Sequence, residues 1–162
     1  MKLNFCPVCG EKLRQREHPT DGSVSWCETC GDWRYPLFST AVSVTILNPE
    51  RSELLLIRQY GEPGLVFVAG YVDKGETAED AVRREVREEL GMTAENLRFH
   101  KSRFYAPSET LMLHYSCTVP ETMAQPNAEV DAWEWVPLKE VRARLAPGLA
   151  AELYDDYLNT EK

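Results

Sequence analysis

Nothing in this 162-residue chain approaches about 18 uninterrupted apolar residues, so no stretch reads as a membrane-spanning helix. The first residues, MKLNFCPVCGEK, also lack the roughly 7–15 residue apolar core of a secretory signal, which makes the cytoplasm the expected compartment. Positive charge is in deficit: 18 Lys and Arg face 26 Asp and Glu, a formal net charge of −8. That balance argues against reliance on nonspecific attraction to a nucleic-acid backbone. It remains compatible with a phosphate substrate, because a bound metal can supply a local positive field. Internal repeats and low-complexity runs are absent. With 43% hydrophobic residues, the chain can build one ordinary core and a small appendage.

Cysteine is scarce too, but four of the five fall into two Cys-x-x-Cys-Gly turns, Cys6 to Gly10 and Cys27 to Gly31. This is the spacing of a four-cysteine zinc ribbon. Thiolates two residues apart let one tight turn offer two sulfurs to a tetrahedral ion. Two disulfides are the alternative, but a Cys-x-x-Cys disulfide closes a small strained loop and is out of keeping with a cytosolic setting. Residues 1–35 therefore read as a ribbon in which Cys6, Cys9, Cys27 and Cys30 hold a structural Zn²⁺. Its cations Lys2, Lys12, Arg14, Arg16 and Arg34 are matched by Glu11, Glu17, Asp21, Glu28 and Asp32. With no basic patch, a scaffold or dimer contact is favoured over nucleic-acid binding. Cys117, left over, reads as a core residue.

After the junction Tyr35-Pro36, alternation predicts a strand from Thr40 to Leu47, a turn over Asn48 to Ser52 and a second strand from Leu54 to Arg58. Leu65 to Ala69 reads as a short buried strand leading to Gly70. Further strands are expected over Leu97 to Tyr105, Thr110 to Val119 and Glu129 to Val136, and helices over Val141 to Leu145 and Leu149 to Leu158. Trp133 and Trp135 share one strand face, with core or dimer burial expected of them rather than base stacking. This element pattern is α/β.

The most informative stretch runs from Gly70 to Met92, GYVDKGETAEDAVRREVREELGM. Thr77 and Asp80 approximate a capping box, Ala78, Val82, Val86 and Leu90 form an apolar stripe, and Gly91 stands where a C-terminal cap belongs. On that helix Glu85, Glu88 and Glu89 fall within an arc of roughly 100°, bordering the stripe. Like charges at these spacings repel, more strongly where water is scarce, so a cation is expected among them. Hard ions such as Mg²⁺ or Mn²⁺ suit clustered carboxylates, with substrate phosphate oxygens completing the shell. Three glutamates taken alone would more often be a solvated acidic face.

Gly70, Glu76 and the run Arg84 to Met92 resemble the Nudix hydrolase signature, G-x5-E-x7-R-E-U-x-E-E-x-G-U with U aliphatic, at every fixed position. The resemblance implies an α/β/α sandwich with a mixed sheet over residues 36–162. It also implies hydrolysis of nucleoside diphosphates linked to another moiety. Glu85 and Glu89 would ligate Mg²⁺ or Mn²⁺, Glu88 would be a ligand or part of the base machinery, and Arg84 would orient the carboxylates. Glu129 resembles the late glutamate that supplies a further ligand or the base, with Asp131 as competitor. A ribbon before such a domain is similar to the NAD(H) pyrophosphatase branch. Tyr35-Pro36 looks like its YP junction, and Ala69 to Asp73 looks like its AGF(V)E opening, in which Ala69 would offer a ligating carbonyl. The branch's SQPWPFPxS motif would lie at Ser102 to Thr110, where Ser102 and the following Leu111-Met112 register match and the rest departs. Tyr35, Phe104 and Tyr105 become candidate substrate contacts. The substrates implied are NAD(H) or ADP-ribose, and a homodimer is implied as well. FAD, dinucleoside polyphosphates, NAD-capped RNA or a non-catalytic nucleotide sensor stand as alternatives.

Overall fold

The computed structural model describes residues 3–161; Lys2, counted above in the charge balance, lies outside them. The chain divides between Ser39 and Thr40 into two compact units.

The N-terminal unit is a three-stranded antiparallel sheet of β1 (Arg14–His18), β2 (Gly22–Cys27) and β3 (Asp32–Arg34), in that order. Its apolar content is small. Trp26 and Trp33 meet edge to face at 4.8 Å, and the Arg16 guanidinium lies 4.9 Å over Trp26. The rest of the unit's order comes from the cysteine turns. Gly10 and Gly31 follow their pairs in left-handed conformation (φ 76° and 62°), and their amides donate to the carbonyls of Cys6 and Cys27, each at 2.9 Å. A side chain at either position would strain that turn.

The second unit is an α/β/α sandwich. A mixed sheet runs in the order β7-β8-β4-β5-β9, from β4 (Ser39–Leu47), β5 (Glu53–Gln59), β7 (Glu95–Tyr105), β8 (Thr110–Thr118) and β9 (Val130–Pro137). A short strand β6 (Val68–Tyr71) pairs with β4. Helix α1 (Ala78–Leu90) covers one face; α2 (Leu138–Arg144) and α3 (Leu149–Thr160) cover the other. Alternation sorts the side chains. Val44, Ile46, Leu55 and Ile57 pack with Val82, Val86 and Leu90 of α1, while Leu54 and Leu56 pack with Val141 of α2 and Leu153, Tyr154 and Tyr157 of α3. With helices on both faces, both sets of alternate residues are apolar. Each such side chain contributes about 1.5–3 kcal/mol of burial. Cys117 is 1% exposed, a core residue as expected, and Trp133 and Trp135 pack half-buried against the α1-side core.

Several boundaries differ from expectation by one or two residues, and two elements depart further. The strand anticipated over Leu65 to Ala69 is shifted to β6. Leu65 and Val66 form only isolated bridges, with Leu145 and Ile57, because this segment divides its hydrogen bonds among β5, β4 and the segment after α2. Helix α2 starts earlier than Val141, with Pro137 at its N-cap (φ −53°), where proline forfeits no helical hydrogen bond. Among the described residues no helix is long and apolar enough to cross a membrane.

Candidate active site and cysteine cluster

Helix α1 begins and ends as its sequence dictates. The Thr77 hydroxyl accepts from the Asp80 amide at 3.2 Å, and Gly91 closes the last turn with its amide on the Arg87 carbonyl at 2.9 Å. The apolar stripe fixes the helix's rotation on the sheet, and that rotation points the glutamate-bearing flank at β6. There Gly70 is obligatory for a steric reason. A Cβ on it would lie 1.9 Å from Glu85 Oε1 and 2.0 Å from Cδ, so the glycine admits the carboxylate against bare backbone.

Arg84 ties this flank to the loop before it. Its Nε and Nη2 donate to the two oxygens of Glu76, both at 2.9 Å, and Nη2 also reaches the Tyr71 carbonyl at 2.8 Å. Nη1 donates to Glu85 at 2.6 Å and Glu88 at 3.3 Å. The bidentate pair with Arg84, with a further bond from the Asp73 amide, holds Glu76 below the usual carboxylate range. Glu76 thus acts as the guanidinium's anchor.

A cleft of about 490 Å³ opens over this face, lined among others by Tyr60, Ala69, Tyr71, Arg84, Glu85, Glu88, Glu89, Tyr105 and Glu129. Its carboxylates are unequal. Glu88 keeps 56% of its side chain exposed, whereas Glu85 keeps 12%. Burial raises Glu85 above its ordinary pKa despite Arg84. Glu89 is 3% exposed, its Oε2 has no partner, and its pKa is pushed up to about 8, by burial first and then by Glu85 and Glu129. A buried carboxylate with an orphaned oxygen among like charges is a site short of positive charge, and a divalent cation fits that donor set. The glutamates do not converge as tightly as the cysteines. Among the described residues, the cysteine set alone brings three or more ligand atoms within 4.8 Å of one another.

In the N-terminal unit, the sulfurs of Cys6 and Cys30 are 3.9 Å apart and those of Cys9 and Cys27 3.4 Å. These distances far exceed a disulfide's ~2.05 Å and lie close to the ~3.8 Å edge of a tetrahedron with ~2.3 Å zinc–sulfur arms. Cys30 is pushed up to about 12, by the Cys9 sulfur first and then by burial, as crowded thiols resist ionising together. Arg34 donates from Nε to Cys6 Sγ at 3.2 Å, placing a cation beside the cluster. Four cysteines in this arrangement fit a zinc ribbon.

The family profile for the NUDIX domain matches residues 37–157. The chain belongs to the NUDIX family. Among curated relatives, it is 32% identical over 159 residues to a protein named NAD-capped RNA hydrolase NudC from Pseudomonas aeruginosa, covering 95% of this chain and 55% of that one. It is 29% identical over 154 residues to NAD-capped RNA hydrolase ndx-9 from Caenorhabditis elegans, covering 91% and 40% respectively. The chain thus spans about half the length of the curated relatives it matches. A NUDIX hydrolase from Nitrosomonas europaea superposes with a TM-score of 0.75 at 16% identity, over 97% of this chain and 91% of that one. The NUDIX domain of Shewanella oneidensis NrtR, solved with ADP ribose, gives 0.66 at 14% identity, over 85% and 94%. Both are likenesses of fold.

Within this NUDIX domain, Ala69, Arg84, Glu85, Glu88, Glu89 and Glu129 all line the one cleft. Asp131, the competitor of Glu129, instead accepts the Gly61 amide at 2.7 Å. Phe104 and Tyr105 are separated by strand alternation: Tyr105 lines the cleft, and Phe104, 53% exposed, is not among its lining residues. Tyr35 belongs to the N-terminal unit, where its hydroxyl donates to Asp21 at 2.8 Å. Sequence reasoning missed Tyr60, Tyr71, Asn127 and Leu149 as lining residues, whereas Thr110 and Met112, at the end of the segment it matched to the substrate motif, do line the cleft. Tyr71, beside Gly70 in the box, was within reach of that reading. Leu149 was not, because it enters from α3 and no local pattern links it to the box.

Proposed function

We propose that this chain is a metal-dependent hydrolase of the diphosphate bond in a nucleoside diphosphate derivative, with NAD(H) or ADP-ribose as substrate. The carrying observation is the cleft in which Arg84 clasps Glu76, Glu85 and Glu88 while Glu89 stays buried with an orphaned oxygen. Its volume of about 490 Å³ suits a nucleotide-sized ligand. Relatives named as NAD-capped RNA hydrolases support a substrate built on NAD, and the formal charge of −8 favours the free dinucleotide over a long RNA.

In this reading Glu85, Glu89 and Glu129, with the Ala69 carbonyl, would hold Mg²⁺ or Mn²⁺. Such ions neutralise the diphosphate, acidify a bound water and stabilise the leaving phosphate. Arg84 keeps Glu85 and Glu88 in place and Glu76 keeps Arg84 in place. Glu88 or Glu129 takes the proton as water oxygen bonds to phosphorus and the P–O–P bridge breaks, yielding AMP and NMN(H) from NAD(H). Tyr105 offers a ring to the base. The ribbon carries a structural Zn²⁺ on Cys6, Cys9, Cys27 and Cys30, and the chain acts as a homodimer.

The test is chromatographic product identification after incubation with NADH, ADP-ribose, FAD and NAD-capped RNA, with Mg²⁺, Mn²⁺ or chelator. AMP and NMNH from NADH, abolished by chelator, is the expected result. Cleavage of FAD alone would replace the substrate, and cleavage of none would favour a nucleotide sensor.

A further inference from the structure

Tyr60 is placed oddly for a packing residue. Its ring is 67% exposed, and its backbone is left-handed (φ 56°), a conformation that a residue with a Cβ rarely adopts. Tyr60 and Gly61 (φ 73°) are the central pair of a tight turn closed by the Glu62 amide on the Gln59 carbonyl at 3.1 Å, which sets the left-handed backbone and aims the Tyr60 side chain. Three further hydrogen bonds join this turn to the segment that carries Glu129. The Tyr60 amide donates to the Glu129 carbonyl at 3.4 Å, the next amide, Gly61, donates to the Asp131 carboxylate at 2.7 Å, and the Tyr60 hydroxyl donates to Glu129 Oε2 at 2.8 Å. Just before it, β5 and β9 slip register between Arg58 and Gln59, a bulge of the kind that re-aims a strand end.

Glu129 needs such support. It lies in the turn ahead of β9, where the carboxylate has no helix or strand to limit its rotamers. Among the described residues, the Tyr60 hydroxyl is the one hydrogen-bond donor to that carboxylate. We propose that Tyr60 is a positioning residue for Glu129, its hydroxyl holding Oε2 so that the other oxygen is left to the cleft. The inference rests on the reading that Glu129 serves the metal or the attacking water.

A double-mutant cycle tests it, with Y60F, E129Q and the double variant read by free-Mn²⁺ electron paramagnetic resonance and by kcat and KM on NADH or ADP-ribose, whichever the wild type cleaves. Y60F keeps the ring and removes only the hydroxyl, so a role in stacking on a base would leave it unaltered. The expected result is a loss of about tenfold in Mn²⁺ affinity and in kcat for Y60F, with KM unmoved. No further loss is expected when Y60F is added to E129Q. If E129Q is impaired and Y60F behaves as wild type, the proposal is overturned while the role of Glu129 stands. An equal loss from Y60F in both backgrounds also overturns it, since Tyr60 would then act without Glu129. If E129Q matches wild type in both readouts, the reading of Glu129 falls, and the proposal with it.

Discussion

At the scale of single residues, the site depends on one missing methyl group and one guanidinium. Gly70→Ala would put a Cβ inside the volume of the Glu85 carboxylate, so Glu85 must leave and its contact with Arg84 at 2.6 Å breaks. We expect a turnover loss of about 100-fold together with about 1–3 kcal/mol of destabilisation, read by steady-state kinetics and thermal melting. Glu85→Gln separates the two effects. It keeps the shape, so turnover should fall by about 100-fold or more with the melting temperature unchanged. Activity within about tenfold of wild type would remove Glu85 from the chemistry. The two substitutions together distinguish a steric requirement for Gly70 from an electrostatic requirement for Glu85.

At the scale of elements, α3 is held on β7 by charge as well as by its apolar face. Asp156, 8% exposed at its side chain, accepts from Lys101 at 2.9 Å and from Arg103 Nη2 at 2.7 Å, and Arg98 reaches Glu161 at 2.6 Å. Asp156→Asn removes the charge that Lys101 and Arg103 share, leaving Arg103 only Glu152 at 3.2 Å, and should cost about 1–3 kcal/mol in urea unfolding at neutral pH. Beneath α3, His114 of β8 is fully buried, its Nε2 3.1 Å from the Thr45 hydroxyl. Burial, with His100 as a lesser cause, pulls its pKa down to about 3. The unfolded chain therefore takes up a proton near pH ~6.5 that the folded chain refuses. Stability contributed by neutral His114 is complete above that pH and is lost progressively as pH falls toward about 3. Urea unfolding at several pH values should show this decline, and His114→Gln should flatten it. A slope unchanged by that substitution would assign the decline to His100, whose pKa burial also lowers, and to the carboxylates.

At the scale of the whole molecule, the two compact units should respond differently to metal removal. A chelator strong enough to strip zinc should unfold residues 3–39 while the sandwich from Thr40 onward keeps its melting transition, which hydrogen exchange can resolve by unit. Protection lost equally in both would show that the units fold as one. The expected homodimer should elute with twice the 18.5 kDa mass of one chain in size-exclusion chromatography with light scattering. A single-chain mass would discard that expectation.

Much of this was legible in the sequence because it is written in local spacing. The caps and stripe of α1 are a 3.6-residue pattern, the cysteine turns are a two-residue pattern, and the alternation of β4 and β5 follows from the pleat. These periodicities depend on backbone geometry alone, so they survive without knowledge of the neighbours. Local spacing also put Glu85, Glu88 and Glu89 on one flank of a helix. Only the tertiary structure decided that they differ, with Glu89 buried, Glu85 set against Gly70 and Glu88 left in solvent, because burial depends on what another element places above each position. The same holds for the meeting of Tyr60 with Glu129 across 69 residues of sequence, and for the entry of Leu149 into the cleft. Contacts of that kind follow from how sheet and helices stack, and no window of sequence contains both partners.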